Sequence, residues 1–351
     1  MRDQTVILVS FESAADGTAP QLHLEGTKRR LRAIGVPEVI ECYSDRSTTV
    51  VRWLTVFAKF LTVVAKADVV VLRFHPAGVL TVLVAKGLRK RTVTLMQGVP
   101  EDAMSSHPWL RRVARLYMGT VRLQLRATDE IFAATHGISN WILETVGKHA
   151  TVLPNGVGDP VVSETCSVES LLPSRYACFS GALATWQGVE VMLEAIEDEN
   201  WPTDLPLVIV GDGPCSGLIG SAGHSNVVWL GRLGAAESRS VIAGALFSIS
   251  VKTVTPATVH GVSPFKVLES LSLGVPVIVS RITGQWEEVY RRSAGLVVEP
   301  GDGIALAAAA RRIARDSEFR TSMAENALRL AESNRWEELA HVLDRGIRSR
   351  P

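Results

Sequence analysis

Short apolar runs alternate with longer amphipathic segments along almost the whole chain. In the first half, β-branched and apolar runs predict strands at residues 6–10, 38–43, 69–74, 92–97, 130–134 and 151–154. Helical patterns lie between them, at residues 21–34, 48–65, 77–88 and 109–127. Because these runs are almost continuously apolar, the strands are expected to be parallel and covered by helices on both faces.

The same alternation resumes after a turn-rich linker at residues 154–173. It predicts strands at 176–180, 207–210, 227–230, 247–251, 276–280 and 295–298, and helices at 189–197, 235–243, 265–273, 286–291, 303–316 and 319–347. The pattern predicts an α/β protein with two Rossmann-like domains facing each other across a cleft, with ligands at the carboxyl ends of the strands. The predicted domains are 1–157 and 158–330, followed by a closing helix at 331–351.

Composition narrows the class of protein. The chain has 351 residues, of which 46% are apolar and 21% charged, as in globular proteins. The first residues are interpreted as a strand and not as a signal peptide. The most apolar stretch, 54–72, contains Lys59, Lys66 and Asp68, which disfavours a membrane span. The four cysteines lack metal-ligand spacing, so we expect reduced, mostly buried thiols and a cytoplasmic protein.

Positive charge is concentrated in one region. Residues 51–128 contain thirteen Lys or Arg and three acids, although the net charge of the chain is +1. Within it, the segments 52–66 and 108–126 mix basic and large apolar residues. They are interpreted either as basic helices resting on the anionic inner face of a membrane, with Arg outward and Trp and Phe inserted, or as core-packed helices with solvated basic faces. The coincidence of charge and apolar content favours the membrane, and the lack of an aromatic stacking platform disfavours nucleic acid.

The strongest local signal lies at residues 261–280. Ser263 is suited to cap a helix and Pro264 to occupy its first position, and Gly274 is suited to end it. A helix start favours phosphate, and Lys266 adds a full charge there. Glu269, one turn on, is able to accept hydrogen bonds from the two hydroxyls of a ribose. The alternative is a solvated Lys–Glu pair on an ordinary amphipathic helix.

With the Ser-Pro-x-Lys-x-x-Glu sequence at 263–269, the chain resembles the GT-B glycosyltransferases of the retaining type (group 1, family 4-like). Segments 153–156, 179–189, 208–214, 228–233, 294–302 and 335–336 resemble other parts of that family in order and spacing. The resemblance covers residues 150–340 well and the first 150 loosely. It implies a donor-binding second domain, an acceptor-binding first domain and a closing helix that crosses back to the first domain.

The resemblance also implies roles for individual residues. Lys266 would contact the donor diphosphate and Glu269 its ribose. The other residues expected to bind the donor are Gly17, Gly181, Gln187, Gly211, Arg232, Ser263, Pro264 and Phe265. For Gly17, in the Asp-Gly-Thr sequence at 16–18, an ordinary turn is the alternative. His75 would hydrogen-bond the transferred sugar or the acceptor, with a structural loop histidine as the alternative. His75 and Lys266 are therefore the predicted catalytic residues.

The chain departs from the family pattern at three positions. Gly261 stands where the family usually has a second glutamate, and Ala182 and Gln187 stand where it has an Arg and a Lys against the phosphates. Lys266, Arg232 and backbone N–H groups are the remaining candidates to neutralise the leaving group.

The predicted function is that of a hexosyltransferase-type enzyme. It would move a sugar, with retention of configuration, from a UDP- or GDP-linked donor to a saccharide or lipid-linked acceptor in envelope polysaccharide or glycoconjugate synthesis. No cofactor or metal is expected, since no Asp-x-Asp stands in a strand-end loop and the Gly-Asp-Gly-Pro sequence around Asp212 is typical of a turn. The alternatives are a catalytically weak GT-B subunit that binds a partner transferase, a GT-B sugar-nucleotide epimerase and a hydrolase.

Overall fold

The computed structural model divides the chain into two compact units. The first unit contains residues 1–156, 260–263 and 335–351, and the second contains residues 157–259 and 264–334. The structure describes residues 4–15, 17–45, 48–101, 104, 108–160, 162–163, 167–221, 225–256, 258–282, 284 and 286–348.

The first unit is built on a parallel six-stranded sheet of order β2-β1-β3-β4-β5-β6. Its strands are β1 (Thr5–Ser13), β2 (Glu38–Ser44), β3 (Val69–Arg73), β4 (Arg91–Met96), β5 (Glu130–Ala133) and β6 (Thr151–Val152). The helices between them are α1 (Ala19–Ala33), α2 (Thr49–Val63), α3 (Val79–Gly87), α4 (Ala114–Ala127) and α5 (His136–Val146). Short 3-10 helices occur at Pro76–Gly78 and Pro108–Val113, among others.

The second unit has a parallel six-stranded sheet of order β12-β11-β10-β7-β8-β9. Its strands are β7 (Ala177–Ser180), β8 (Leu207–Val210), β9 (Val227–Trp229), β10 (Phe247–Ser250), β11 (Val277–Ser280) and β12 (Gly295–Val298). Its helices are α6 (Val189–Glu197), α7 (Ser216–Ser221), α8 (Ala235–Ala243), α9 (Phe265–Ser272), α10 (Trp286–Arg291), α11 (Gly303–Arg315) and α12 (Ser317–Ser333). A last helix, α13 (Ala340–Arg348), returns to the first unit and contacts α1. The prediction of an α/β protein with two Rossmann-like sheets is confirmed.

Both faces of the first sheet are buried, as the apolar strands predict. Val6 and Leu8 of β1 pack in a cluster that includes residues of α1 and α13, whereas Ile7 and Val9 pack in a cluster with residues of α2 and α3. Side chains alternate across a strand, so α1 and α13 cover one face and α2 and α3 the other. This layering is the usual result of right-handed crossovers in a sheet of this order.

The prediction of one helix over residues 319–347 is wrong. The chain leaves α12 at Ser333 and becomes helical again at Ala340. Asn334 ends α12, since its backbone N–H and its side-chain amide donate to the carbonyls of Ala331 and Leu330. These bonds use carbonyls that the helix would otherwise leave unpaired.

Part of the prediction for the basic segments is also wrong. Arg52 is buried, and its Nε donates to the Phe11 carbonyl at 3.0 Å, while Trp53 and Phe57 pack against the core. The side chains exposed on α2 and α4 are instead mostly aliphatic and basic. In the part of the chain that the structure describes, no helix is both long and apolar enough to cross a membrane.

The described cysteines agree with the expected chemistry. Cys42, Cys178 and Cys215 are buried free thiols, whereas Cys166 lies outside the described residues. Burial raises the pKa of Cys178 to about 12, so that thiol stays protonated at physiological pH.

Candidate functional site

The second sheet changes direction between β7 and β10. These strands are neighbours, although they are far apart in sequence. The strands β8 and β9 follow on the side of β7, and β11 and β12 follow on the side of β10. In open α/β sheets, ligands bind beyond the carboxyl ends of the strands at such a switch point. Gly181 directly follows β7 and Lys252 lies two residues after β10.

Two of the predicted glycines meet at this switch point. A Cβ atom built on Gly211 would lie 1.9 Å from the carbonyl oxygen of Gly181, and both residues have positive φ angles, +135° and +148°. Only glycine fits position 211 without moving backbone atoms. The two loops therefore approach each other at a distance that no side chain would permit.

Lys266 lies beside the Gly181 loop, on the first turn of α9. A Cβ atom on Gly181 would lie 3.0 Å from the Lys266 Nζ atom, which is also 3.9 Å from the centroid of the Phe179 ring. The Nζ atom is buried and has no hydrogen-bond partner. Burial, followed by the nearby charge of Lys252, holds the pKa of Lys266 well below its usual value.

Lys252 is a second buried lysine at the same switch point, and sequence reasoning missed it. Its side chain is 1% exposed, and its Nζ donates to Oε1 of Gln187 at 2.9 Å and lies 4.9 Å from the centroid of the Trp186 ring. Burial lowers the pKa of Lys252 to about 7. The available signal was a lysine directly after the apolar run 247–251.

The amide oxygen of Gln187 is therefore occupied by a hydrogen bond within the protein. Gln187 is buried and belongs to a 3-10 helix, Thr185–Gln187, that precedes α6. The backbone of Lys252 is fixed as well, because the Ser280 hydroxyl accepts from its N–H at 2.8 Å. Position 187 thus lacks the cation that the family pattern places there, but the amine of Lys252 donates a hydrogen bond to the Gln187 side chain.

The start of α9 differs by one residue from the prediction. Pro264 is the N-cap residue and Phe265 begins the helix, with no side-chain capping bond. The predicted cap, Ser263, belongs to the first unit, where its hydroxyl accepts from the N–H of Asn155 at 3.2 Å and its carbonyl accepts from the Asn155 side chain at 2.7 Å. Phe265 itself is half-buried.

Glu269 and Arg232 occupy different environments. Oε1 of Glu269 accepts from Nε of Arg239 on α8 at 3.1 Å. Burial raises the pKa of Glu269, and Arg239 opposes that shift. Arg232 is exposed on a loop after β9. Asp212 accepts from the Gly213 N–H at 2.7 Å and from the Ser216 hydroxyl, as in the turn that its sequence predicts.

The first unit contains a cavity of about 920 Å³ at its own switch point, where β1 and β3 are neighbours. Its charged lining residues are Glu12, Arg52 and Arg73. The remaining lining residues are mostly aromatic, apolar or small: Thr49, Trp53, Phe74, His75, Pro76, Ala77, Gln97, Gly98, Val99, Pro100, Leu110 and Tyr117. A cavity of this size accommodates one or two sugar rings.

His75 is fixed in this cavity by its neighbours. Its Nδ1 accepts from the Ala77 N–H at 3.1 Å, and its ring stacks on Phe11 and meets Trp53 edge-on. Burial lowers the pKa of His75 to about 4, with Glu12 opposing the shift. The imidazole is therefore neutral at pH 7, and since Nδ1 is an acceptor, the ring proton is on Nε2.

The loop around Gly17, which the sequence predicted to approach the donor, provides less support for a ligand site. Gly17 has φ +72° and no atoms near its Cβ position, and Asp16 lies outside the described residues. Thr18 caps α1 by accepting from the Gln21 N–H. Among the residues that the structure describes, no three His, Cys, Asp or Glu side chains are grouped so that they could hold a metal ion.

Comparison with known proteins supports one class of enzyme. Residues 174–316 match the family model described as Glycosyl transferases group 1. The D-rhamnosyltransferase WbpZ of Pseudomonas aeruginosa is 26% identical over 287 residues, which cover 78% of this chain and 71% of WbpZ. An uncharacterized glycosyltransferase of Methanocaldococcus jannaschii, MJ1178, is 24% identical over 214 residues, covering 60% of this chain and 56% of the relative.

Solved structures match over almost the full length. The Anabaena protein Alr3699/HepE, crystallised with UDP and glucose, superposes with a TM-score of 0.73 at 15% identity, covering 99% of this chain and 100% of HepE. The sucrose-phosphate synthase of Thermosynechococcus elongatus gives a TM-score of 0.75 at 15% identity and 98% coverage of both chains. At such identities these matches establish the fold, which is GT-B. This chain is thus a glycosyltransferase of GT-B fold, and residues 174–316 of its second unit match the glycosyl transferases group 1 model.

Proposed function

We propose that this enzyme transfers a hexose, with retention of configuration and without a metal, from a nucleotide diphosphate to a saccharide or lipid-linked acceptor of envelope polysaccharide or glycoconjugate synthesis. The second unit binds the donor and the first unit binds the acceptor. Two comparisons support this assignment: WbpZ is a rhamnosyltransferase, and HepE was crystallised with UDP and glucose. UDP or GDP is the nucleotide.

The observation that carries the proposal is a pair of buried lysines without an acidic partner. The sequence of the second unit contains only two lysines, Lys252 and Lys266, and both have buried amines at its switch point. Among the described residues, no carboxylate pairs with either amine. Burial without an acidic partner disfavours the charged form of both amines and lowers their pKa values, and a bound anion would restore that charged form.

A diphosphate fits this anion site. The amines of Lys252 and Lys266 would hold its oxygens, and the positive end of the α9 helix dipole lies beside Lys266. The tight approach of Gly181 and Gly211 lets the phosphates contact backbone atoms. As the bond to the sugar breaks, negative charge grows on the diphosphate, and the lysines stabilise it in the role that a metal serves elsewhere.

Glu269 accounts for selectivity toward a nucleotide over free pyrophosphate. Arg239 orients its carboxylate by donating to Oε1. The oxygens of that carboxylate retain acceptor capacity for the two hydroxyls of a ribose. Arg232, exposed after β9, is available to the base or the outer phosphate. In the first unit, His75 donates its Nε2 proton to a sugar hydroxyl.

The enzyme also rests on the anionic inner face of the membrane in this proposal. One exposed stripe of α4 carries Arg115, Leu116, Arg122, Leu123 and Arg126 at helical spacing, with Leu116 71% exposed. α2 exposes Val51, Leu54 and Leu61, and α3 exposes Leu80 and Leu83. Apolar side chains beside arginines suit a surface of acyl chains and anionic headgroups.

Calorimetric titration with UDP, GDP and ADP in the presence of a chelator tests the donor site. One nucleotide is expected to bind. Lys252→Met and Lys266→Met are each expected to weaken it by at least about tenfold, since each removes a charged hydrogen bond. Glu269→Gln should weaken binding of the nucleotide and leave binding of inorganic pyrophosphate unchanged. The exposed Arg329→Met on α12 is the matched control.

Two outcomes would contradict this donor site. Binding that appears only after Mg²⁺ is added would remove the metal-independent mechanism. No binding of any nucleotide under either condition would favour a subunit that supports a partner transferase.

A further inference from the structure

We propose that His23 of α1 is a positioning residue, which orients the Gln97 amide so that Gln97 and His75 together recognise one hydroxyl group of the saccharide in the first-unit cavity. The inference rests on the proposed function and names residues that select the saccharide at its acceptor site. It comes from the register of two strands, one hydrogen bond to a buried histidine and the accessibility of two side-chain atoms.

His75 and Gln97 leave adjacent strands at the same level. The strands β3 and β4 are paired up to Arg73 and Leu95, and the Phe74 N–H still donates to the Leu95 carbonyl at 2.8 Å. His75 and Gln97 each stand two residues beyond that last pair, and both line the cavity. Because neighbouring strands lie about 4.8 Å apart, one small group is able to contact both side chains.

A buried histidine holds the amide of Gln97. The Nε2 atom of Gln97 lies 2.7 Å from the Nε2 atom of His23, a residue that is 1% exposed. An amide nitrogen only donates, so the imidazole Nε2 is the acceptor and the ring proton is on Nδ1. The Nδ1 atom has no hydrogen-bond partner among the described residues. The bond to Gln97 is therefore the one that this ring makes within the described part of the chain.

The ring of His23 is fixed in place and neutral. The indole of Trp336 meets it edge-on, with 6.4 Å between the ring centroids. Burial, followed by the nearby charges of Arg73 and Arg30, holds the pKa of His23 well below its usual value. An amide turned round would place its oxygen against the unprotonated Nε2, which brings two acceptors together. The neutral ring thus selects one orientation of the Gln97 amide.

The other polar atoms of Gln97 and His75 are open to solvent. Both residues are half-buried. Within the described part of the chain, neither the Gln97 amide oxygen nor the His75 Nε2 atom has a hydrogen-bond partner, and neither is buried. The cavity therefore presents an acceptor and a donor side by side. A sugar hydroxyl both accepts and donates, so it satisfies the two atoms at once.

This pair favours a hydroxyl over other substituents of a sugar ring. A hydrogen or an O-methyl group in its place has no proton to donate to the Gln97 oxygen. A carboxylate would accept from His75 but would place its negative charge against that same oxygen. Each of these substituents leaves at least one atom of the pair desolvated and unpaired, which weakens binding.

Tautomer spectroscopy on the full-length protein tests the positioning. Long-range proton–nitrogen correlation spectra of the isotope-labelled enzyme distinguish the two neutral tautomers and the charged imidazole. The His23 signal is identified by its loss in His23→Phe. We expect its proton on Nδ1, and we expect the Nε2 resonance to shift in Gln97→Leu, which removes the donated bond. A proton on Nε2, or a resonance unchanged in Gln97→Leu, would overturn the proposal.

Glycoside binding tests the recognition. Methyl glucoside, methyl mannoside and methyl galactoside are titrated without nucleotide by ligand-observed NMR, and the tightest binder is compared with its monodeoxy analogues. One analogue is expected to bind at least about tenfold more weakly, and Gln97→Leu should abolish that difference because the acceptor is gone. Failure of all three glycosides to bind, or a preference that persists in Gln97→Leu, would contradict the hydroxyl site.

Variants of His23 separate positioning from packing. His23→Phe keeps a ring against Trp336 but has no acceptor, so it should lose the hydroxyl preference as Gln97→Leu does. His23→Gln supplies an acceptor oxygen and should restore the preference. The exposed His341→Gln on α13 is the control. A wild-type preference in His23→Phe would refute the positioning role, and if that variant does not fold, the response of the His23 signal to Gln97→Leu decides, with the signal then identified by its loss in His23→Gln.

The outcome is independent of the donor site. A protein that binds a nucleotide but shows no such hydroxyl preference would overturn this inference alone. One that shows the preference but binds no nucleotide would overturn the proposed donor site alone.

Discussion

Trp336 packs directly against Gly26 of α1. A Cβ atom on Gly26 would lie 2.2 to 2.4 Å from three atoms of the Trp336 indole ring. The same ring lies 4.6 Å from the Arg30 guanidinium, whose Nη2 donates to the Pro154 carbonyl at 2.6 Å. The residues just before α13 are thus held on α1 by a contact that only glycine allows.

Gly26→Ala is expected to destabilise the protein by about 1–3 kcal/mol, because the new methyl group must displace the indole ring. This loss should exceed the gain in helix propensity that alanine normally brings. The measurement is the urea unfolding midpoint of the variant. Gly87→Ala at the end of α3 is the control, since no atom lies within 4 Å of its Cβ position, and it should be neutral or slightly stabilising. Equal behaviour of the two variants would refute the packing argument.

Stability should rise with pH because of Lys252. Its pKa is about 7 in the folded protein, against 10.5 for an unperturbed lysine, so between these values the unfolded chain holds a proton that the folded chain has lost. The free energy of unfolding then increases with pH by up to about 1.4 kcal/mol per unit. Unfolding of the wild type and of Lys252→Met at pH 7, 8 and 9 is compared. The wild type should gain stability relative to the variant, and parallel curves would show that Lys252 titrates normally.

Nucleotide binding at pH 8 should be coupled to proton uptake. A diphosphate favours the charged form of Lys252, which is mostly neutral in the free protein at that pH. Calorimetry in buffers of different ionisation enthalpy gives the number of protons taken up. We expect a positive value for the wild type that falls in Lys252→Met and persists in Arg329→Met. Zero uptake in the wild type would place the phosphates away from this amine.

Membrane binding should depend on the exposed stripe of α4. The double variant Leu116→Ser and Leu123→Ser is expected to reduce binding to vesicles of phosphatidylglycerol and phosphatidylcholine by at least about tenfold, because two large apolar side chains are lost from the contact. Leu171→Ser with Leu328→Ser, two exposed leucines of the second unit, is the control. Sedimentation with vesicles at low and high salt gives the bound fraction. Similar losses in both double variants would argue against a defined surface.

The sequence predicted the sheets better than the helix ends. A strand such as β8 is continuously apolar and is flanked by Pro206 and Gly211, so the sequence pattern locates it closely. The break between α12 and α13 was missed because no glycine or proline marks it. It depends on a local side-chain bond of Asn334 to the last turn of α12 and on the tertiary packing of Trp336 against Gly26.

Only part of the candidate site could be predicted from the sequence, because the rest depends on contacts between distant residues. Gly181, Gly211 and Lys266 stand in recognisable local sequences, and the structure brings them together. The one-residue error at Ser263 arose because the serine hydroxyl bonds Asn155, 108 residues away, instead of capping α9. A single side chain such as Lys252 acquires its meaning only from its burial and from the absence of an acidic partner among the described residues, which sequence patterns do not report.

The contact between Lys252 and Gln187 has a consequence for tracing the ancestry of such enzymes. An amine supplied from one strand end reaches the side chain of a residue 65 positions earlier. A charge can therefore migrate between distant positions of the chain while its location in space is preserved. An alignment that compares such sequences position by position would record the loss of a basic residue at position 187 and an unrelated gain of one at position 252. It would classify the domain as degenerate, although an amine still lies at the same place in the fold.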